Sequence, residues 1–369
     1  MRTEILAFLK KYDFSFFGGA LAIFIIGVLN LYSATHTNPS VAFQNLYLDQ
    51  ILRFSVGCGL AFGISFIDSK TMFRFSYIFY IFNILLLMLV LVLGQKGMGA
   101  QRWLVFGPIR FQPSELMKLS LVMALARYYS RNNPEKIMEI KDLIIPGILT
   151  LIPTILIVIQ PDLGTGLLLI LIFSIITFYK RISYRAILIL SVIALLAGSV
   201  MYTFGLKDYQ KRRISTFLNP QEDARGSGYN AIQSQIAIGS GRFLGKGFKK
   251  SSQASLQFLP ENHTDFVFSI FNEEHGFFGS VVLISLYVIL LSRFIWLSGS
   301  VLKFFDSVVV IGLMSIFFWH IFINMCMVMG LLPIVGLPLP FMSFGGSSII
   351  TYCLVIGIAT SISNSRNLF

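Results

Sequence analysis

The chain has 369 residues, of which 55% are hydrophobic, 14% aromatic and only 12% charged. Soluble globular proteins carry about 25% charged residues, so the composition excludes a soluble domain and specifies a polytopic membrane protein. The formal net charge of +12 does not argue for nucleic acid; it is read by where the cations fall relative to a bilayer.

The basic, amphipathic opening (Arg2, Lys10, Lys11) is followed by an apolar stretch without a small-residue cleavage site. That stretch is expected to be a retained first span. Crossing about 30 Å of hydrocarbon takes roughly 20 mostly apolar residues. Ten segments meet or approach this length: 14–34, 50–67, 75–94, 114–128, 143–160, 163–180, 184–204, 265–292, 304–331 and 345–363. The predicted fold is an all-α polytopic membrane protein with ten transmembrane helices. It forms a single membrane domain over 1–369, with one large outer loop, 205–263, between the seventh and eighth helices. Lys70, Arg74, Arg127, Arg131, Lys136, Lys141, Lys180, Arg181, Arg185, Arg293, Lys303 and Arg366 share the side of the N-terminus, whereas 35–49, 161–162 and 332–344 hold no Lys or Arg. By the positive-inside rule both termini are expected in the cytoplasm of a cell-membrane protein. Cys58, Cys326 and Cys353 lie in separate apolar segments, without the spacing of a disulfide framework or a zinc site.

The first outer loop reads Gly97-Met98-Gly99-Ala100-Gln101-Arg102-Trp103 and then Gly107 to Lys118, where Pro113-Ser114-Glu115 signals a helix start. Glu115 and Lys118 share one helical face, expected to neutralise each other or to bind a ligand. Gln160-Pro161-Asp162 is a tight turn in which Asp162 suits a helix cap. The 205–263 loop is Gly-rich, and its interleaved apolar residues (Ile232, Ile236, Phe243) predict packing onto the membrane face. Lys96, Arg102, Arg110 and the cations between Lys207 and Lys250 oppose the topology signal; as a set they suggest an anionic ligand outside. Next come Pro260-Glu261-Asn262-His263-Thr264-Asp265 and an apolar run interrupted by Glu273, Glu274 and His275. Carboxylates at the mouth of a membrane helix are costly unless they are used, so this stretch is the candidate reacting centre. His320 and Asn324 share a helical face suited to an interhelical hydrogen bond. The uncharged, Pro/Gly-rich run 330–348 suits a re-entrant lining, since irregular backbone at membrane depth needs a cavity or protein around it.

Arg102-Trp103, Phe111 to Lys118, Gln160 to Gly166, Phe217-Leu218-Asn219-Pro220, Pro260 to Phe266, and Gly336 to Phe341 before Gly345-Gly346-Ser347-Ser348 together resemble the SEDS family (shape, elongation, division, sporulation), in particular its RodA-like members. The resemblance covers essentially the whole chain. Arg242, His275 and Phe344 depart from the residues usual there. It implies a peptidoglycan glycosyltransferase that polymerises lipid II, the lipid-linked disaccharide-pentapeptide, on the outer membrane face during elongation. It places the essential aspartate at Asp265 and the membrane Glu and Lys at Glu115 and Lys118. It implies substrate contacts from Trp103, His263, Thr264, Ser343 and Ser347, and partnership with a class B penicillin-binding protein (a transpeptidase) and other elongation-complex membrane proteins.

The residues fit that chemistry. Attack of a sugar hydroxyl on an anomeric carbon bearing a pyrophosphate needs a base and cationic help for the leaving group. Asp265 suits the base, with capping of the eighth helix as its alternative role. Arg102, Arg110, Arg213 and Lys246 suit pyrophosphate. A divalent cation (Mg or Mn) could share that role, though no carboxylate cluster marks a metal site. Two other classes stay open: a precursor flippase or ion-coupled transporter using Glu273, Glu274 and Lys118, and an inert scaffold for a partner enzyme.

Overall fold

The computed structural model describes residues 12–36, 45–97, 100–107, 109–132, 136–223, 226–259 and 263–366. Pro260, Glu261 and Asn262 of the expected reacting centre lie outside the described residues. Helices fall where apolar runs predict them: α1 (Ser15–Thr35), α2 (Leu46–Ile64), α3 (Ser69–Leu93), α4 (Pro113–Arg131), α5 (Ile144–Ile159), α6 (Leu163–Tyr179) and α7 (Tyr184–Val200). The 205–263 segment carries α8 (Asp208–Leu218), α9 (Ser227–Ser240) and the single turn α10 (Ser252–Ser255), and it is followed by α11 (Val267–Ser300), α12 (Phe304–Val328) and α13 (Gly346–Arg366). Among the described residues seven helices are long and apolar enough to cross a membrane; α6 is shorter, and α2 and α4 are not among the seven. α4 begins with Pro113 in its first turn, and it is buried on most of its surface although it holds Glu115 and Lys118. Neighbouring helices, not lipid, surround it.

The expectation of an all-α chain needs one addition. The connection between α3 and α4 forms a small antiparallel sheet in the order β1 (Gln95–Gly97), β2 (Ala100–Phe106), β3 (Ile109–Phe111). Leu104 pairs with Phe111 and Val105 with Arg110, and Gly107 at φ 60° turns β2 into β3. Backbone groups that leave the bilayer at α3 and return at α4 are satisfied by one another, as they must be where helix ends.

α12 and α13 form the centre, with 78% of the most apolar window of each buried. α13 packs along α2, α4 along α3, and α12 against α11, α6 and α4. A Cβ on Gly357 would lie 2.7 Å from Ala61 Cα, the close backbone approach that small residues permit between membrane helices. α7 is the exception: none of its apolar window is buried, and it meets the core only through Ala186 in its first turn and Leu190.

α11 differs from the expected span at 265–292. It is two helices, 267–275 and 277–300, meeting at Gly276 with φ 64° and ψ −161°. Glu273 and Glu274 therefore precede the break instead of sitting two turns inside one continuous span. The segment 242–247 laces into the gap: Phe277 N–H donates to Arg242 O (2.8 Å), Phe278 N–H to Phe243 O (3.0 Å), Lys246 N–H to Glu273 O (2.9 Å) and Gly247 N–H to Glu274 O (2.9 Å). Groups freed by the broken helix thus find partners. A Cβ at Gly276 would sit 2.7 Å from Phe243 O, in a backbone region other residues avoid. Gly276→Ala is expected to destabilise the detergent-solubilised protein by about 1–3 kcal/mol, read as an earlier thermal unfolding transition.

At the opposite end, three helices are latched. Asp13, just before α1, accepts from Arg293 Nη2 of α11 (2.6 Å) and from Ser363 Oγ of α13 (2.6 Å), while its N–H donates to Asn364 Oδ1 (2.9 Å). Arg293 also stacks on Trp296, 4.1 Å from the ring centre. Burial pushes the Asp13 carboxyl up, but the hydrogen bonds from Ser15, Ser363 and Arg293 outweigh it and hold the group below the usual carboxylate range. A depressed carboxyl contributes its stability above its unfolded pKa and loses it as pH falls through the folded one, so the latch is complete at neutral pH.

Candidate active site

Asp265 sits at the turn into α11, half-buried. The cap position of that helix is Phe266, one residue on, and no side chain caps it. Three backbone bonds fix its surroundings. Asn324 Nδ2 of α12 donates to Asp265 O (3.0 Å) and to Leu337 O (2.8 Å), and Phe344 N–H donates to His263 O (2.9 Å). The carboxylate faces Gly336, where a Cβ would lie 3.2 Å from Asp265 Oδ2. Gly336 has φ 79°, so this site requires glycine twice over: for the backbone turn and for the room beside the carboxylate.

The segment 331–345 runs without helix between α12 and α13, with Leu337, Leu339, Phe341, Met342 and Ser343 buried. Ser343 Oγ accepts from Leu339 N–H (2.8 Å), and Ser343 O accepts from Gln50 Nε2 of α2 (2.9 Å). These two bonds hold the segment in shape. Ser347, in the first turn of α13, accepts from Gln112 N–H (3.1 Å) and donates to Arg110 O (3.4 Å), which joins the sheet to α13.

Glu115 and Lys118 form the expected pair. Lys118 Nζ lies 2.9 Å from both carboxylate oxygens of Glu115 and 3.1 Å from His320 Nε2. Both partners are buried, Lys118 completely. His320 Nδ1 bonds the Tyr352 hydroxyl, which reaches Pro338 O (3.3 Å). His320 and Asn324 thus do share a face and a purpose: both meet the segment beside Asp265.

The cations assigned to an anion separate into two groups. Arg102 bonds Gln160 O (3.4 Å) and Pro161 O and lies 3.8 Å from Asp162 Oδ1. Asp162 in turn caps α6 through Thr165 N–H (3.3 Å), as expected. Lys246 is bound to Glu273 Oε1 (2.5 Å) and Ser252 Oγ (2.9 Å). Glu273 also accepts from Ser251, Ser252 and Gln253, so its charge is fully engaged in pinning the 246–253 segment. Glu274 accepts from Ser33 Oγ of α1 (2.5 Å). Arg110 is exposed on β3. Arg213 of α8 donates to Ile334 O (3.1 Å) and lines a cavity of about 30 Å³ with Phe217, Gln235, Met327 and Pro333. Trp103 lies on β2 opposite Gln95, and Thr264 precedes Asp265, half-buried.

One residue was missed in the sequence. Arg53 lies in the apolar α2, with its guanidinium 4.7 Å above the Phe344 ring. The His263 ring lies 6.1 Å from Phe344, and a Cβ at Gly346 would be 3.5 Å from Arg53 Nη1. A lone Arg in a hydrophobic span is the signal that marks it. Cys58 of α2 and Cys353 of α13, apart in sequence, meet across the helix pair as free thiols.

Comparison with known proteins agrees with this architecture. The family model described as "Cell cycle protein", covering FtsW, RodA and SpoVE, matches residues 14–368. The peptidoglycan glycosyltransferase MrdB of Escherichia coli K12 is 40% identical over 78% of this chain and 78% of its own. The probable peptidoglycan glycosyltransferase FtsW of Trichlorobacter lovleyi is 33% identical over 98% of this chain and 95% of its own. A structure described as "Structural coordination of polymerization and crosslinking by a peptidoglycan synthase complex" superposes with a TM-score of 0.82 at 31% identity, covering 96% of this chain and 98% of that one. The crystal structure of the rod shape determining protein RodA of Thermus thermophilus superposes at 0.71, with 29% identity, 96% of this chain and 97% of that one covered. By the length of the family match and its identity to these relatives, this multi-pass membrane chain belongs to the FtsW/RodA/SpoVE family.

Proposed function

We propose that the protein is a peptidoglycan glycosyltransferase that polymerises lipid II on the outer face of the cell membrane. The observation that carries the reading is a half-buried carboxylate, Asp265, whose backbone is clamped by Asn324 and whose side chain has room only because Gly336 stands opposite. In the proposed step the acceptor sugar hydroxyl loses its proton to Asp265 as its oxygen forms a bond to the donor's anomeric carbon. The bond from that carbon to the pyrophosphate oxygen breaks, and its electron pair leaves with the lipid pyrophosphate. Arg53, Arg110 and Arg213 are the cations we assign to the departing charge, Arg being suited to bidentate phosphate contact. Arg102 and Lys246 contribute by holding the loops that carry the site. Trp103, His263 and Thr264 border the substrate path. Among the described residues no three carboxylate, imidazole or thiol groups gather, so a Mg or Mn ion would draw further ligands from the substrate's phosphates.

Single-domain organisation, ten crossings, the loop 205–263 outside and both termini in the cytoplasm complete the proposal. In a cysteine-free background, Lys250→Cys is expected to react with an impermeant thiol reagent in intact cells and Lys70→Cys only after lysis; both positions are exposed. The reverse pattern would overturn the orientation. A class B penicillin-binding protein is the proposed partner, supported by a fold shared with a synthase complex that polymerises and crosslinks. The decisive test is purified protein with purified lipid II. Glycan ladders support the enzyme; translocation in liposomes without ladders supports the transporter.

A further inference from the structure

The Glu115–Lys118 pair is buried too deeply to meet a substrate from the outer face without displacing its present partners. A lysine ammonium has three donors and no acceptor capacity. Lys118 spends them on the two oxygens of Glu115 and on His320 Nε2. Nε2 must therefore accept, which leaves the proton of a neutral imidazole on Nδ1. That proton points to the Tyr352 hydroxyl, which, having accepted it, donates to Pro338 O. The chain is directional from beginning to end. One helical turn along α12, Asn324 bonds Leu337 O, the adjacent carbonyl, and Asp265 O. Positions four apart on a helix face the same way, so one face of α12 holds Leu337 O directly through Asn324 and the neighbouring Pro338 O through His320 and Tyr352 of α13, and Gly336, just before Leu337, abuts the Asp265 carboxylate.

We propose that His320 and Tyr352 are positioning residues, linking the Glu115–Lys118 pair to Pro338 and thereby setting the register of Gly336 against Asp265. The pair acts through this chain, not by touching lipid II. The inference rests on the reading of Asp265 as the base.

Two measurements test it. The first needs no substitution to be active: ¹⁵N spectra of the histidine-labelled protein in lipid bilayers should contain a neutral imidazole protonated at Nδ1, lost in His320→Gln. If His320 is instead protonated at Nε2 or at both nitrogens, the chain does not exist. The second is kinetic. Tyr352→Phe, which keeps the ring and removes only the hydroxyl, should lower kcat by about 10–100-fold, the scale of a small misplacement at a reacting centre. The KM for lipid II should stay within about twofold, because no ground-state contact is lost. Adding His320→Gln to Tyr352→Phe should cost little more, since members of one network are not additive. A Tyr352→Phe enzyme of normal kcat, a loss confined to KM, or additive effects would each overturn the proposal. Unfolding temperatures of both variants separate this loss from general destabilisation. Asp265→Asn assayed alongside keeps the premises apart: activity there removes the base, while the tautomer and the coupling still report on the chain.

Discussion

Asp265→Asn is expected to leave a folded protein that binds lipid II but polymerises it at least about 10²-fold more slowly, the scale of general-base catalysis. Asparagine fits the site: Asn324 grips the backbone oxygen of residue 265 and not its side chain, and an amide is no larger than the carboxylate facing Gly336. What asparagine cannot do is accept the proton of the attacking hydroxyl. Asparagine caps a helix as well as aspartate does, so a loss of activity here is not a loss of helix. Glycan synthesis by the variant at near wild-type rate would remove Asp265 from the mechanism. Glu273 is a poor heir, because Lys246 and the 251–253 turn already occupy both its oxygens.

The second large effect concerns stability. Lys118→Met would strand the Glu115 carboxylate, only 5% exposed, without its counter-charge. Removing one partner of a buried ion pair costs about 3–5 kcal/mol, enough to deplete the folded protein in membranes. The double variant Glu115→Gln with Lys118→Met removes both charges and is expected to recover most of that loss. Thermal unfolding of the two proteins in detergent measures the difference. Equal destabilisation of single and double variants would show that the burial of an unpaired charge is not what matters there.

Several parts of this arrangement could be read from residue order. Apolar length located the helices, Pro113 and Asp162 marked helix starts, and the spacing of Glu115 with Lys118 and of His320 with Asn324 put each pair on one face. These are local signals. What escaped was non-local. Nothing around His275-Gly276-Phe277 announces a break, because the groups that satisfy it belong to residues 242–247. The short sheet formed where glycines suggested only a loop, because its strands satisfy each other across two turns. Arg53 stands out as a lone charge in an apolar span, but its partner Phe344 lies far along the chain, so order alone does not join it to the site. Asp162 and Glu273, the acidic partners of Arg102 and Lys246, could not be assigned from order alone.

The latch around Asp13 bears on how the protein is made. Asp13 and Ser363 are separated by 350 positions, so the first of them leaves the ribosome long before the second exists. α1 must enter the bilayer and wait, with Asn30 and Ser33 lacking the partners that α11 will bring. Only the arrival of α13 closes the ring. A nascent chain halted before Ser363 therefore lacks the bond that ties α13 to α1, and its bundle stays laterally open.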